Sequence, residues 1–208
     1  MTQAKIKFAS FEEYLTWSDV PENHLEGQFE WIDGELVAVP PESGLDWAIA
    51  NRIFFLLVAS GVVPLELVHP GQCEIQVPVL QPKDAANRYP DLVILDDVHL
   101  ALTQKRLTVT LDMPPPRLVA EVLSPGKQNR QRDLIRKRDQ YAARGIPEYW
   151  LVDPGQQLVT VLELKDEVYV EVGVFGEGNY PERETASHRI FSPTFPMLQL
   201  TANQLFGR

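Results

Sequence analysis

The chain has few of the residues that mark secreted, disulfide-bonded or membrane proteins. Its 208 residues include one cysteine, Cys73, so no disulfide can form within the chain. A lone thiol suits a reducing compartment, and its apolar surroundings predict a small buried side chain, not a catalytic one. No apolar run reaches membrane-spanning length, and residues 1–5 are too polar for a signal-peptide core. We therefore expect a soluble, cytoplasmic protein that does not engage a membrane.

Positive charge and grouped histidines are also scarce. The four histidines are scattered along the chain without the spacing of metal ligands, which argues against a zinc site. Lysine and arginine number 19 against 29 acidic residues, so the formal net charge is −10. Phosphate binding relies on a basic surface. This balance argues against broad, sequence-independent affinity for DNA.

The length and composition are those of one globular domain. With 44% hydrophobic residues the chain can build a full core, and 208 residues are marginal for two domains. The sequence contains neither an internal repeat nor a flexible linker. We predict a single domain over residues 1–208.

Local patterns in the first half predict a helix, a hairpin and a second helix. Ser10 and Glu13 form a capping-box pattern that begins a helix ending near Trp17. Residues 29–39 predict a hairpin that turns at Asp33-Gly34. Helical spacing of apolar residues predicts a buried helix over 45–60. Apolar runs then predict strands over 63–68, 73–80 and 92–95, while residues 97–112 are ambiguous.

The second half predicts a β-α-β unit and a mixed sheet. Apolar runs at 118–123 and 148–152 flank a helical segment, 127–144, that ends at Gly145. Such a unit implies parallel strands joined by a right-handed crossover. Strands at 158–164 and 168–174 follow, and the tail, 191–206, ends in a predicted short helix. The expected class is α/β or α+β, a mixed sheet core flanked by helices with an N-terminal helix and hairpin.

Two acids occupy positions where a carboxylate is costly. Asp91 follows Pro90 at the mouth of an apolar strand, and Glu121 interrupts the apolar run 118–123. A buried carboxylate needs a partner, a proton or a cation. Asp91 can also be explained as a turn acid that caps local backbone groups. Glu121 can also be explained by a structural ion pair with Arg117 or a helix arginine.

The helix after Glu121 is the one basic segment of an acidic chain. Residues 127–144 carry seven basic and two acidic side chains, a local charge of +5. This run is either a solvated helix face or a nucleic-acid contact. Asp133, Lys137 and Tyr141 are four residues apart and share one helix face. Lys137 could there orient or activate an attacking water, or stabilise charge on a phosphate; the alternative is an Asp133–Lys137 surface pair.

Four segments together resemble the Uma2 family, also called DUF820. They are FEWIDGEL (29–36), YPDLV (89–93), VAEVLSP (119–125) and DLIRKRDQYAARGIPEYWLVDP (133–154). Each is short, but their order and spacing are specific, and the resemblance extends from about Phe11 to Leu205. The family consists of proposed endonucleases with the restriction-endonuclease-like PD-(D/E)XK fold.

The resemblance implies a role for each matching position. Asp91 corresponds to the motif aspartate and Glu121 to the second acid, which together bind Mg²⁺ or Mn²⁺. Glu30 corresponds to an additional catalytic acid from the N-terminal region. The motif lysine would fall on Leu123, and Lys137 is the candidate to replace it. Apart from the resemblance, the helix spacing and the charge run suggest supporting and nucleic-acid-binding roles for residues of the basic segment. They are Asp133 and Tyr141 as supports, and Lys127, Arg130, Arg132 and Arg136 as nucleic-acid contacts.

A second departure from the family lies at the head of the helix 45–60. Family members often carry histidine there, whereas this chain has Asp46-Trp47. The leading hypothesis is a metal-dependent endonuclease acting on nucleic acid, with DNA as the first substrate to test. Two alternatives stay open: a catalytically inactive nucleic-acid-binding module, and an interaction protein that dimerises through its strands and uses the acids as ion pairs. A homodimer is the expected assembly.

Overall fold

A computed structural model describes residues 7–23, 25–123, 130–176 and 189–207, with only the backbone of residues 130–133. The helices are α1 (Phe11–Ser18), α2 (Gly44–Ala59), α3 (His99–Leu102), α4 (Arg130–Arg144) and α5 (Ala202–Phe206). The strands are β1 (Phe29–Ile32), β2 (Glu35–Ala38), β3 (Val68–Pro70), β4 (Glu74–Gln76), β5 (Asn87–Arg88), β6 (Leu92–Ile94), β7 (Thr108–Val109), β8 (Leu118–Val122), β9 (Glu148–Asp153), β10 (Leu158–Lys165) and β11 (Val168–Gly176). Across these residues, no helix is both long and apolar enough to cross a membrane.

A six-stranded mixed sheet forms the centre of the molecule. Its strand order is β11-β10-β9-β8-β6-β3. Strands β8 and β9 run parallel, with Leu118 opposite Glu148 and Val122 opposite Val152, while the other neighbours are antiparallel. The parallel pair confirms the predicted β-α-β unit. All five residues of β8 are buried, as is typical of a parallel strand that is covered on both faces of the sheet.

Two helices cover this sheet and supply much of its core. Helix α2 packs against β3 and β8, and helix α4 packs against β11. The largest fully buried side chains include Trp150, Tyr149 and Tyr141, with the Tyr141 and Tyr149 rings 5.4 Å apart in an edge-to-face arrangement. Full burial of one large apolar side chain contributes about 1.5–3 kcal/mol. The aromatic cluster therefore fixes α4 over the end of β8.

The first helix begins as its sequence predicts. Ser10 is the N-cap, and its hydroxyl accepts a hydrogen bond from the Glu13 N–H at 3.2 Å. The Glu13 carboxylate accepts from the Ala9 N–H at 2.5 Å, one residue before the position that a capping box would use. Phe11 and Tyr14 then pack with Phe8 in a small separate core.

A second, three-stranded sheet of order β5-β4-β7 lies under α1. Its buried Glu74 accepts hydrogen bonds from Asn87 at 2.7 Å, Thr108 at 2.6 Å and Arg106 at 3.2 Å. The Arg106 guanidinium also lies 5.4 Å from the centre of the Tyr14 ring. These contacts compensate the buried carboxylate and tie α1 to the small sheet.

One local prediction is wrong, and two other segments contain short elements that the sequence does not predict. The strand predicted over 63–68 is wrong, because Leu65–Leu67 form a 3₁₀ turn after Pro64 and the strand begins at Val68. The segment 81–89, between the predicted strands 73–80 and 92–95, contains the two-residue strand β5. The ambiguous stretch 97–112 contains α3 and β7. Apolar composition alone does not distinguish these short elements.

Candidate active site

Asp91 and Glu121 lie side by side at one end of the neighbouring strands β6 and β8 of the large sheet. In the β6–β8 pair Leu92 lies opposite Ala120, so Asp91, just before β6, comes beside Glu121 on β8. Asp91 Oδ2 accepts the Val122 N–H at 2.5 Å. Glu121 is only 4% exposed. The strand pairing thus brings together the two acids that the sequence singles out.

Helix α4 supplies two partners for Glu121. Lys137 Nζ lies 2.8 Å from Glu121 Oε2, and the Tyr141 hydroxyl donates to Glu121 Oε1 at 2.7 Å. The four-residue spacing puts both donors on the face that covers β8. Arg117, considered from the sequence as an ion-pair partner, instead stacks on the Phe195 ring at 4.5 Å. The salt bridge of Glu121 is therefore made with Lys137.

The electrostatics keep Asp91 protonated near neutral pH when no cation is present. Burial and the neighbouring Glu121 charge raise the pKa of Asp91 to about 8, against the opposing effects of the Val122 N–H and Lys137. Bringing a divalent cation to the pair would favour the ionised form of both acids. A strongly perturbed acid of this kind is a functional-site candidate.

Lys137 and Tyr141 keep their protons. Burial lowers the pKa of Lys137, but the attraction of Glu121 and Asp91 more than reverses this effect, so the pKa is raised. Burial and the Glu121 charge raise the pKa of Tyr141 well above its ordinary value. Lys137 is therefore a cation and a hydrogen-bond donor at neutral pH, and Tyr141 is a neutral donor.

Glu42 is a third carboxyl group at the site, and it was missed at the sequence level. It lies in the loop before α2, and its side chain hydrogen-bonds to Asp91. Burial raises the pKa of Glu42, and a hydrogen bond between two carboxyl groups requires a proton on one of them. No signal in the Pro40–Gly44 segment, which predicts only a break between elements, points to this contact.

Gly71 explains how the Glu42 loop comes so close. Its N–H donates to the Asp91 carbonyl at 2.9 Å, and its backbone adopts a φ of +60°. A β-carbon at this position would lie 3.3 Å from Glu42 Oε1. Glycine meets both requirements, because it tolerates positive φ and leaves room for the carboxylate.

Glu30 lies in a network beside these acids. Its Oε1 atom is 3.0 Å from Arg88 Nη1. Arg88 also donates to Gln140 Oε1, and Gln140 donates to the Pro78 and Ala85 carbonyls. The structure thus brings Glu30 to Arg88, and its predicted catalytic role stays a prediction.

The predicted nucleic-acid contacts are described only in part. Arg136 Nη1 lies 3.8 Å from the buried Asp84 Oδ1, which makes a loose ion pair. Lys127 lies outside the described residues, as do the side chains of Arg130, Arg132 and Asp133.

The donor set suits a magnesium-type cation. Mg²⁺ prefers oxygen ligands and is often held by one or two carboxylates together with water and substrate phosphate. Asp91 and Glu121 supply two such groups, and the raised pKa of Asp91 shows that their charges need compensation. Within the described ranges, no group of three or more histidine, cysteine, aspartate or glutamate side chains is arranged to hold an ion. The protein would thus supply two ligands, leaving the others to water and phosphate.

Comparisons with known proteins identify the fold and the family of this chain. A crystal structure described as a "putative nuclease belonging to DUF820 from Anabaena variabilis" superposes with a TM-score of 0.61, covering 99% of this chain and 98% of that chain at 19% identity. That likeness shows the restriction-endonuclease-like fold. No curated protein matches at a significant level. The sequence profile of Uma2, described as "Putative restriction endonuclease", matches residues 11–201. The chain therefore belongs to the Uma2 family.

Proposed function

We propose that this protein is a divalent-metal-dependent endonuclease that hydrolyses phosphodiester bonds in nucleic acid, with DNA as the first substrate to test. The observation that carries the proposal is the juxtaposition of Asp91, Glu121 and Lys137: two buried acids side by side, one of them in a 2.8 Å bond to a lysine. Family membership and fold support the same class of protein.

Asp91 and Glu121 would hold Mg²⁺ or Mn²⁺. Such an ion polarises the scissile phosphate and lowers the pKa of an attacking water. Tyr141 keeps the Glu121 carboxylate in place through its 2.7 Å hydrogen bond. Asp133 has a predicted supporting role, and Glu30 a predicted role as an additional acid.

Lys137 acts as an electrostatic group in this proposal. Its pKa is raised by Glu121 and Asp91 despite burial, so it holds its proton and cannot serve as the general base. A lysine side chain 27% exposed beside Glu121 can donate to a phosphate oxygen as negative charge develops there. Of the three roles that the sequence suggests, phosphate stabilisation and orientation of the water fit this charge state.

Nucleic acid would approach over the start of α4. Lys127, Arg130, Arg132 and Arg136 are the proposed phosphate contacts, since this segment is basic in a chain of net charge −10. Binding should therefore depend on this one surface and weaken with salt. We also propose a cytoplasmic location, since a lone cysteine suits a reducing compartment.

The test is cleavage of plasmid, linear and single-stranded DNA with Mn²⁺, with EDTA as the metal-free control. Wild type is compared with Asp91→Asn, Glu121→Gln and Lys137→Met. We expect cleavage by wild type alone. Cleavage that survives all three substitutions would overturn the site assignment.

A second candidate function is a nucleic-acid-binding module without catalysis. The favouring observation is that both Glu121 oxygens already accept hydrogen bonds, from Lys137 and Tyr141. Calorimetric titration of Mg²⁺ and Mn²⁺ into wild type and Asp91→Ala separates the two functions. Metal binding that disappears in Asp91→Ala supports the nuclease, and no carboxylate-dependent binding supports the module.

We also propose a homodimer through the outer strand of the large sheet. Strand β11 ends the strand order, and it exposes Val168 at 59% and Val170 at 45%. Exposed sheet edges are available for pairing with a second copy. Light scattering after size exclusion tests this assembly: a Val168→Lys, Val170→Lys variant should elute as a monomer. The remaining alternative is an interaction protein in which Asp91 and Glu121 serve only as ion pairs. In that case Glu121→Gln would change the thermal stability, and the wild-type protein would not cleave nucleic acid.

A further inference from the structure

A cleft opens directly beside the carboxylates. It has a volume of about 540 Å³ and lies between the loop before α2, the head of α2 and the end of β3. Two of its lining residues contact Asp91: Glu42 through its carboxyl group and Gly71 through its N–H. Ligand pockets have volumes of about 300–1,000 Å³. The cleft is therefore adjacent to the proposed catalytic centre and large enough for part of a substrate.

An exposed tryptophan forms one wall of this cleft. Trp47, in the first turn of α2, is 60% exposed, whereas Trp150 is fully buried and Trp17 and Trp31 are partly buried. A large aromatic surface left in water costs the hydrophobic free energy that its burial would give. All four tryptophans lie in the described ranges, and Trp47 alone among them is free to stack on a ligand.

Amide side chains line the same cleft. Asn51 donates to the Trp47 carbonyl at 2.8 Å, and Gln28 donates to the Gly71 carbonyl at 2.6 Å. These bonds hold each amide in place, and each amide retains a second N–H and an acceptor oxygen. Gln72 adds a third amide to the lining. The cleft thus combines an aromatic face with groups that can bond to the edge of a flat polar ring.

The charge of the lining decides which part of a nucleotide fits. Glu42 is the one charged residue among the twelve that line the cleft. A phosphate placed there would be repelled by this acid, whereas a neutral base would not. Stacking on aromatic side chains is tolerant of base identity and contributes substantially to single-strand binding.

We propose that this cleft binds a nucleobase of the nucleic-acid strand, stacked on Trp47, next to the phosphate held at Asp91 and Glu121. The proposal rests on the proposed nuclease function for the placement of that phosphate. A base can enter the cleft only when it is unstacked, so the substrate is single-stranded or locally opened. Trp47 is then a substrate-binding residue at the head of α2.

Binding of two labelled single-stranded DNA oligonucleotides tests this directly. One oligonucleotide is intact, and the other has abasic sites along its length; Ca²⁺ replaces Mg²⁺ to limit cleavage. Fluorescence anisotropy should show Trp47→Ala binding the intact strand about tenfold more weakly than wild type. The abasic strand should bind wild type and Trp47→Ala equally. Equal affinity of the two proteins for the intact strand would overturn the proposal.

Phe55 provides a matched control. It is an exposed aromatic residue, 67% accessible, on the same helix two turns after Trp47, and it is not part of the cleft lining. Phe55→Ala should leave the affinity unchanged. Two outcomes would overturn the proposal: equal weakening of binding by both substitutions, or conversion of a dimer to a monomer by either one, as measured by light scattering. In both cases Trp47 and Phe55 would belong to a protein contact.

A second readout does not depend on cleavage. Deoxyadenosine monophosphate should quench the indole fluorescence of wild type, deoxyribose 5-phosphate should not, and Trp47→Phe should lose the response. Quenching without any Mn²⁺-dependent cleavage would overturn the proposed nuclease function while leaving base binding in place. Cleavage with no loss of binding or quenching in the Trp47 variants would overturn the base site alone.

Discussion

Two buried glutamates lie at opposite ends of the parallel strands β8 and β9 and have very different surroundings. Glu148, fully buried at the start of β9, accepts hydrogen bonds from the Trp150 indole at 2.6 Å, the Ser192 hydroxyl at 3.0 Å and the Thr194 N–H at 2.7 Å. Glu121, near the end of β8, has a lysine and a tyrosine as partners but also has a second acid beside it, Asp91. The register places the two glutamates about 10 Å apart along the strands.

The comparison teaches that burial of an acid does not by itself mark a functional site. Three neutral donors satisfy Glu148, and these contacts tie the 192–194 segment to the sheet. At the Glu121 end, two acids share a site with one lysine, so the second negative charge has to be balanced by a proton or a bound cation. That end is also the carboxyl end of β8 and β9, where ligands bind in open α/β sheets. We therefore propose a structural role for Glu148 and a chemical role for Glu121.

The largest expected effect separates these two glutamates. Glu121→Gln should lower the rate of Mn²⁺-dependent cleavage by about 10³-fold or more, because the metal contributes several kcal/mol to the transition state. Glu148→Gln should leave the rate per folded molecule within about threefold. Rates are measured on one DNA substrate, with the folded fraction determined by circular dichroism.

The free energy of unfolding should show the opposite order, with a larger loss in Glu148→Gln than in Glu121→Gln. Glu148→Gln places an amide among three donors, which should lower the free energy of unfolding by about 2 kcal/mol. Glu121→Gln removes a partner of Lys137 but also removes the repulsion with Asp91, so it should lower this free energy by less. Urea denaturation in metal-free buffer measures both. A nuclease defect in Glu148→Gln as large as that of Glu121→Gln would contradict the comparison.

The next effect concerns the lysine that distinguishes the two ends. Lys137→Met should reduce cleavage by about 10²-fold, since it removes one donor aimed at developing charge. Arg138, the next residue, donates to the Tyr169 carbonyl at 2.6 Å and does not bond to Glu121, so Arg138→Met is the matched control. We expect a loss of severalfold at most in that control. Equal losses would reduce the role of Lys137 to general positive charge on α4.

Some residues of this site can be predicted from the sequence and others cannot. Period-four spacing placed Lys137 and Tyr141 on one face, and the β-α-β pattern placed that face over β8, so local rules were sufficient for these contacts. Glu42 was missed because its contact with Asp91 depends on the path of a loop and on the room left by Gly71. The exposure of Trp47 could not be predicted either, because helical periodicity does not say which aromatic residue stays uncovered.

A smaller effect is a pH dependence of stability at the Glu121 end. The pKa of Asp91 is about 8 in the folded protein, against about 4 in an unfolded chain. The folded protein thus keeps a proton that the unfolded chain releases, so this stabilisation is complete below pH 4 and is lost as the pH rises towards 8. We therefore expect the free energy of unfolding to fall as the pH rises from 5 to 8.

Asp91→Asn removes this titration while keeping an oxygen for the Val122 N–H. Urea denaturation in EDTA should therefore show wild type losing stability relative to Asp91→Asn as the pH rises from 5 to 8. Glu148→Gln, at the other end of the strands, should keep the wild-type pH dependence. Parallel curves for wild type and Asp91→Asn would show that Asp91 does not hold a proton in the folded state.

The smallest expected effect is that of Glu30→Gln, which tests whether Glu30 has a catalytic or a structural role. Its bond goes to Arg88, with 20% of its side chain exposed, and such a pair contributes about 1 kcal/mol or less. Glu30→Gln keeps an oxygen for Arg88, so cleavage should change by threefold at most. Glu35→Gln, on the other strand of the same hairpin and paired with Lys7 at 3.4 Å, is the control. Suppose that Glu30→Gln loses as much cleavage as Asp91→Asn while Glu35→Gln is unaffected. Glu30 would then be a metal-binding acid of the same site, and the proposed active site would have to include the β1–β2 hairpin.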